Sequence, residues 1–148
     1  MMMEKIIDIQ RQIVDDFAVL EDWMDKYAYL VELGGGLTGM SEAQKTEENL
    51  IKGCQSKVWL HAELRDGLLY FVADSDAIIT KGIVALLIRV FSGQSPADIL
   101  NANFDFIDEI GLSQHLSPTR SNGLLSMVKQ IRLYALAMDA KLKMESPQ

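Results

Sequence analysis

The stretch Val58-Trp59-Leu60-His61-Ala62-Glu63-Leu64-Arg65-Asp66-Gly67-Leu68-Leu69-Tyr70-Phe71-Val72-Ala73 decides the fold class. Val58, Leu60, Ala62 and Leu64 alternate with Trp59, His61, Glu63 and Arg65, the period of a strand with one buried face. Arg65-Asp66-Gly67 is a turn signal, and Leu68 to Ala73 supplies a second strand, so the pair reads as an antiparallel hairpin. Asp74-Ser75-Asp76 follows as capping residues for a helix from Ala77 to Phe91. That helix is apolar nearly all round despite Lys81 and Arg89, so it is expected to be central and buried.

Working outward, helical spacing dominates both flanks. Ile6, Ile9, Ile13, Phe17 and Leu20 mark one face of an amphipathic helix, and Met24, Tyr27 and Val31 continue the spacing on a second. Gly34-Gly35-Gly36 reads as its stop. Thr38 to Asn49 is polar and aperiodic, a loop or one marginal turn. Ser95-Pro96 opens a short helix, Phe104 to Ile110 forms another turn or two, and Ser117-Pro118 repeats the cap-and-proline signal. Leu124, Val128, Ile131, Ala135, Met138 and Leu142 then define the clearest helix of the chain. The expected class is α+β, a small antiparallel sheet packed against helices on one side. One domain over residues 1–148 is expected, with 1–3 and 144–148 as frayed ends. Trp23 and Trp59 are assigned to the core.

Composition narrows the function classes. Of 148 residues, 49% are hydrophobic and 24% charged, which is ordinary for a globular chain. The net charge of −7 argues against general nucleic-acid binding, because phosphate is repelled. Ala77 to Phe91 is too short and too charged for a membrane span, and the N-terminus lacks the apolar run of a signal peptide. A cytoplasmic protein is expected, in a compartment that keeps a lone thiol reduced. Gly34 to Gly36 lacks the Lys-Ser/Thr of a phosphate-binding loop, and nothing marks a pyridoxal phosphate site. Residues 1–26 carry a net −4 and residues 114–143 a net +4. These are either solvated helix faces packed near each other or a polar docking surface.

The single cysteine, Cys54, excludes an internal disulfide and any multi-cysteine metal site. It lies in Ile51-Lys52-Gly53-Cys54-Gln55-Ser56-Lys57, between the polar loop and the first strand. Gly53 permits a sharp turn, and the flanking Lys52 and Lys57 favour the thiolate, the nucleophilic form. A lone cysteine is also often a small buried hydrophobe, and a Gly-Cys pair alone does not separate the two readings. His61 reads as a half-exposed strand residue. His115 is a candidate base for Cys54 in a thiol hydrolase, but the sequence supplies no third orienting group. It is otherwise the residue that holds the turn before the Ser117 cap. Asp74 and Asp76 are read as caps rather than metal ligands, and no metal site is assigned. Arg120 stands in the first turn of a helix, where the macrodipole disfavours a cation, which hints at a specific partner.

Three blocks together are more specific. Gly53-Cys54-Gln55-Ser56-x-Val58-Trp59-Leu60, then Asp74-Ser75-Asp76-Ala77, then His115-Leu116-Ser117-Pro118-x-Arg120-x-Asn122-Gly123-Leu124 resemble the SufE family of sulfur-acceptor proteins in identity, order and spacing. Tyr29-Leu30-Val31-Glu32-Leu33-Gly34 matches as well, and the resemblance runs from about Leu20 to Ala137. It implies a SufE/IscU-like α+β fold. It also implies that Cys54 takes sulfur from the persulfide of a pyridoxal-phosphate-dependent, SufS-like cysteine desulfurase and passes it on to iron–sulfur cluster assembly. Gly53, Gln55, Asp76 and Arg120 are then supporting or partner-contact residues. Such a chain needs no cofactor of its own and acts as the desulfurase's transpersulfidation partner and activator rather than as a stand-alone enzyme. A cluster scaffold is the alternative, although one cysteine falls short of the ligands a cluster needs. Gly34-Gly35-Gly36-Leu37-Thr38-Gly39 departs from the family pattern, which often has proline there.

Overall fold

Alternation is realised in a two-stranded antiparallel sheet, β1 (Val58–Arg65) and β2 (Leu68–Ser75), with Val58 opposite Ser75 and Arg65 opposite Leu68. The structure, a computed structural model, describes residues 5–53, 56–112 and 118–145, with the side chains of 118–122 outside the description. Asp66 and Gly67 both have positive φ, 52° and 78°, the two-residue turn whose twist matches a hairpin. Val58, Leu60, Ala62, Leu69, Phe71 and Ala73 are buried on one face, while Trp59, His61, Glu63 and Val72 lie on the other. Both hairpin edges are covered by short bridges. Leu50 pairs with Trp59 on the β1 edge, and Gln94 pairs with Leu69 on the β2 edge.

Helices cover the buried face, as the sequence predicts. They are α1 (Ile6–Ala18), α2 (Trp23–Gly35), α3 (Ile78–Phe91), α4 (Pro96–Asn101), α5 (Asp105–Glu109) and α6 (Pro118–Glu145), with a 3-10 turn at Glu42–Gln44. α3 is central. Ile83, Val84, Leu86, Leu87, Val90 and Phe91 are buried, and it packs on β2, α2 and α1. α6, about 42 Å long at 1.5 Å per residue, buries Leu124, Met127, Ile131 and Ala135 and packs on α4. Tyr134 of α6 meets Phe71 edge-on at 6.3 Å and donates its hydroxyl to the Leu60 carbonyl at 3.4 Å. Ser95 caps α4 by accepting from the Asp98 N–H at 3.1 Å, as expected.

Two expectations need correction and two gain detail. The buried stripe of α2 runs through Leu30 and Gly34, while Met24 and Val31 are exposed. α2 ends within Gly34-Gly35-Gly36 as expected, with Gly36 as its C-cap, and Gly34 also serves packing: a Cβ on it would lie 2.9 Å from the Gly82 nitrogen. A Cβ on Gly82 would overlap the Leu30 carbonyl oxygen, so paired glycines let α2 and α3 approach backbone to backbone. Trp23 and Trp59 are half-buried rather than core, each with a lysine ammonium over its ring, Lys26 at 4.8 Å and Lys45 at 5.3 Å. The acidic α1 carries Asp16, which pairs with Arg89 of α3 at 3.4 Å rather than with the basic α6.

Candidate functional site

The segment that contains the cysteine leaves and re-enters the sheet at one point. The Ile51 N–H donates to the Val58 carbonyl at 2.8 Å, and the Leu60 N–H donates to the Asn49 carbonyl at 2.8 Å. Residues 49–51 therefore run along the free edge of β1, and 52–57 form a loop closed at its base by the Ile51–Val58 bond. Within that loop Cys54 and Gln55 lie outside the described residues. Gly53 has φ 91°, and a Cβ on it would lie 2.6 Å from the Ser126 Oγ of α6. The glycine thus serves two needs: a backbone conformation that L-residues avoid, and close approach to a helix.

The downstream arm is gripped by the Asp-Ser-Asp block. The Lys57 N–H donates to Asp76 Oδ1 at 3.0 Å, and the Asp76 N–H donates back to the Lys57 carbonyl at 3.2 Å. The Ser75 hydroxyl donates to the same carbonyl at 2.9 Å and accepts from the Ala77 N–H at 3.2 Å. The capping role expected for this block is therefore wrong. α3 starts at Ile78 with Ala77 as a cap that has no side-chain bond, and Asp74 and Ser75 belong to β2. The strand runs further than its apolar pattern, which turns the carboxylates toward neighbouring chain rather than toward the helix start.

Asp74 holds the upstream arm. Its side chain is only 10% exposed, and its oxygens lie 3.3 Å from Lys45 Nζ and 3.4 Å from Lys81 Nζ. It also accepts from the Ser75 N–H at 2.8 Å. Burial disfavours the carboxylate, but the Ser75 N–H and the two ammonium groups outweigh it and hold the Asp74 carboxyl below its ordinary value. The hydrogen bond to Asp74 likewise holds Lys45 above the usual lysine range. Asn49 ties the arm together by donating its Nδ2 to the Gln44 carbonyl at 2.7 Å. A hollow of about 500 Å³ separates this arm from α6, lined by residues 47–52 together with Gln130 and Tyr134.

Of the residues singled out in the sequence, Gly53 and Asp76 are brought to one loop, one on each side of Cys54. Arg120 lies in the first turn of α6, with its side chain outside the described residues, as are His115 and Ser117. His61 is half-buried on the outer sheet face, as expected. Sequence reasoning missed Ser126, Lys45 and Lys81. Lys81 leaves a signal, a cation in the first turn of an apolar helix just after two acids. Ser126 and Lys45 had left none, because each stands in a locally unremarkable polar position. Among the described residues no group of three His, Cys, Asp or Glu side chains is arranged to hold a metal ion, and no helix is long and apolar enough to cross a membrane.

Comparison with known proteins fits this arrangement. The family model "SufE: Fe-S metabolism associated domain" matches residues 11–135. An uncharacterized SufE-like protein of Rhizobium meliloti is 45% identical over 126 residues, which cover 82% of this chain and 90% of that protein. A second uncharacterized SufE-like protein, from Rhizobium etli, is 43% identical, with 82% of this chain and 85% of the relative covered. The solution structure of a hypothetical protein from Thermus thermophilus shares the fold, with a TM-score of 0.72 at 20% identity over 87% of this chain and 94% of that one. The family match over most of the chain and the SufE-like relatives at 43–45% identity show that the chain belongs to the SufE family, whose domain is associated with Fe–S metabolism.

Proposed function

We propose that this chain, acting as one unit over residues 1–148, is a sulfur acceptor and carrier for iron–sulfur cluster assembly, with Cys54 as the acceptor atom's residue. The observation that carries the reading is that the family match at residues 11–135 takes in the Gly53-Cys54-Gln55-Ser56 block. The loop geometry around that block supports it. The Cys54 thiolate attacks the outer sulfur of a persulfide on a cysteine desulfurase. The donor's S–S bond breaks, its cysteine leaves as a thiolate, and a new S–S bond makes Cys54 a persulfide. Electrons balance without any external oxidant, and the persulfide is a reversible cap suited to delivery. Pyridoxal phosphate chemistry belongs to the desulfurase, and the sulfur passes onward to a cluster scaffold. A reducing cytoplasm is the compartment in which a lone thiol persists for this work.

The test is intact mass after incubation with a cysteine desulfurase, pyridoxal phosphate and cysteine. Cys54 gains one sulfur atom, and the gain disappears with reductant. Sulfur uptake and desulfurase stimulation by Cys54→Ser equal to the wild type would refute the reading. Stable, stoichiometric iron in the purified protein would favour the scaffold alternative, and thioester turnover by the isolated chain would favour a Cys54–His115 hydrolase.

A further inference from the structure

An open hollow of about 490 Å³ lies between the start of α1 and the end of α4, with Lys5, Gln10, Gln94, Asp98, Asn101 and Asn103 on its walls. It stands near the start of β2, where Gln94 pairs with Leu69, whereas the cysteine segment joins the sheet at the end of β2. No step of sulfur transfer uses it. Gln10 and Gln94 are more than nine-tenths buried, at 4% and 5% exposure. Gln10 donates its Nε2 to the Asn103 carbonyl at 2.9 Å, which fixes the orientation of the carboxamide. The carboxamide oxygen has no partner among the described residues, and no fully buried side-chain oxygen of theirs lacks one, so this oxygen is reached from the hollow. α1 begins at the same wall. Lys5 is its N-cap and makes no side-chain capping bond, and the Ile6 and Ile7 N–H groups find no acceptor among the described residues.

We infer that this hollow binds a short peptide of two or three residues with free termini: its carboxylate at the α1 start and Lys5, its peptide groups on the carboxamides, and its ammonium at Asp98. The chemistry of the walls sets that class. An uncapped helix start and one lysine suit a single negative charge. Asp98, on α4, supplies the opposite sign for an ammonium, and it disfavours a phosphate, whose second charge would meet a carboxylate. A carboxamide donates and accepts as a peptide group does, so Gln10, Gln94 and Asn101 match peptide rather than hydrocarbon. Size agrees as well. The volume falls within the range of about 300–1,000 Å³ usual for small-ligand sites. Taken as a sphere it is about 10 Å across, the length of about three extended residues. A single amino acid would leave most of it to water. The site stands independently of the sulfur-acceptor reading, since none of its residues belongs to the cysteine loop.

The experiment titrates the isotope-labelled full chain with triglycine, triglycine amide, N-acetyl-triglycine and acetate. It reads NMR shifts of the Ile6 and Ile7 backbone amides and of the Gln10 and Asn101 side-chain amides. Triglycine is expected to give saturable shifts at these positions with a Kd of about 1 mM, ordinary for a ligand held by a few polar contacts. Triglycine amide, which lacks the carboxylate, is expected to bind about tenfold more weakly, the loss of one charge-assisted contact. N-acetyl-triglycine, which lacks the ammonium, is expected to bind about threefold more weakly, as is triglycine to Lys5→Gln, because both charges of the protein are exposed. Their exposure also means that Lys5→Gln and Asp98→Asn keep the fold. In Asp98→Asn, triglycine and its N-acetyl form should bind alike, a result that a merely structural role for Asp98 does not produce. The absence of saturable shifts up to about 10 mM overturns the inference, as do shifts confined to other parts of the chain. Triglycine amide binding as tightly as triglycine overturns it too. Acetate binding as tightly as triglycine would make the hollow an anion site only, and equal binding of triglycine and N-acetyl-triglycine to the wild type would point to the end of a protein chain instead; either result overturns the free peptide. Cys54→Ser is expected to bind triglycine like the wild type, so failure here is separable from failure of the carrier reading.

Discussion

Gly53→Ala is the perturbation that tests the site geometry most directly. Two costs are expected. With φ at 91°, an alanine backbone is strained by about 1–2 kcal/mol. The new Cβ would also stand 2.6 Å from Ser126 Oγ, although 3.6 Å from Ser126 Cβ, so only the hydroxyl is in the way. The hydroxyl can rotate, at the expense of the interaction it now makes, about 1 kcal/mol. Against these, alanine restricts the unfolded chain and returns about 0.4–1 kcal/mol. The net loss is about 1–2 kcal/mol, of which about 1 kcal/mol depends on Ser126.

A double-mutant cycle separates the terms. Urea denaturation of wild type, Gly53→Ala, Ser126→Ala and the double variant gives four stabilities, and Ser126→Ala removes the crowding while leaving φ unchanged. Gly53→Ala should cost about 1 kcal/mol less in the Ser126→Ala background, a midpoint difference of about 0.3–1 M. An equal cost in both backgrounds would mean that the loop does not lie against α6 in solution. No cost in either would mean that Gly53 does not hold its positive φ, and the two-armed description of the loop would then fail.

Other consequences are sharper in sign than in size. Because the folded-state pKa of Asp74 is depressed, its contribution to stability is complete above the ordinary carboxylate value of about 3.9 and is lost as pH falls through the lower folded value. Denaturation midpoints of wild type and Asp74→Asn should therefore differ at neutral pH and converge in acid; a gap that persists undiminished at the lowest pH contradicts the assignment. Gly82→Ala should cost about 3 kcal/mol or more and lower Tm by about 6–12 °C, since the obstruction is the Leu30 backbone and no side chain can yield; calorimetry decides it. Asp76→Ala and Arg120→Ala should each change stability by less than about 1 kcal/mol yet alter Cys54 alkylation and desulfurase stimulation; unchanged values of both would remove these residues from the site.

The hairpin and α6 were legible because their signals are periodic and long. Alternation from Val58 to Ala73 with Asp66-Gly67 between admits one reading, and the three–four spacing after Leu124 admits one helix, even though Met127 replaces Val128 in the core. Gly34-Gly35-Gly36 does end α2, but the packing role of Gly34 was hidden because a glycine that ends a helix and one that lets two helices touch look alike in sequence. Only the partner glycine, Gly82, distinguishes them, and it stands far along the chain. The edge segment Asn49 to Ile51 was invisible because a single bridge is too short to show a period. Asp74 was misread because Asp-Ser-Asp before an apolar run has cap composition. Cys54 stands out as the lone thiol, and the role proposed for it rests on blocks far apart in the chain.

The placement of Asp74 and Asp76 has a physical logic of its own. Asp74 lies on the outer face of β2 opposite Trp59, the strand ends at Ser75, and Asp76 follows directly after it. One reaches Lys45 on the upstream arm, the other the Lys57 amide on the downstream arm, and Ser75 between them binds the Lys57 carbonyl. Lys52, Gly53 and Lys57 are exposed while Ile51 and Val58 are buried, so the core holds the base of the loop and polar bonds hold the arms beyond it. Bonds of that kind open locally at a free energy far below that of global unfolding. A sulfur acceptor needs that combination, because its thiol must be presented to one partner and then to another while α3 and the sheet stay packed. The Asp-Ser-Asp block thus joins the packed sheet to the chain on both sides of residues 54–55, through Lys45 upstream and Lys57 downstream.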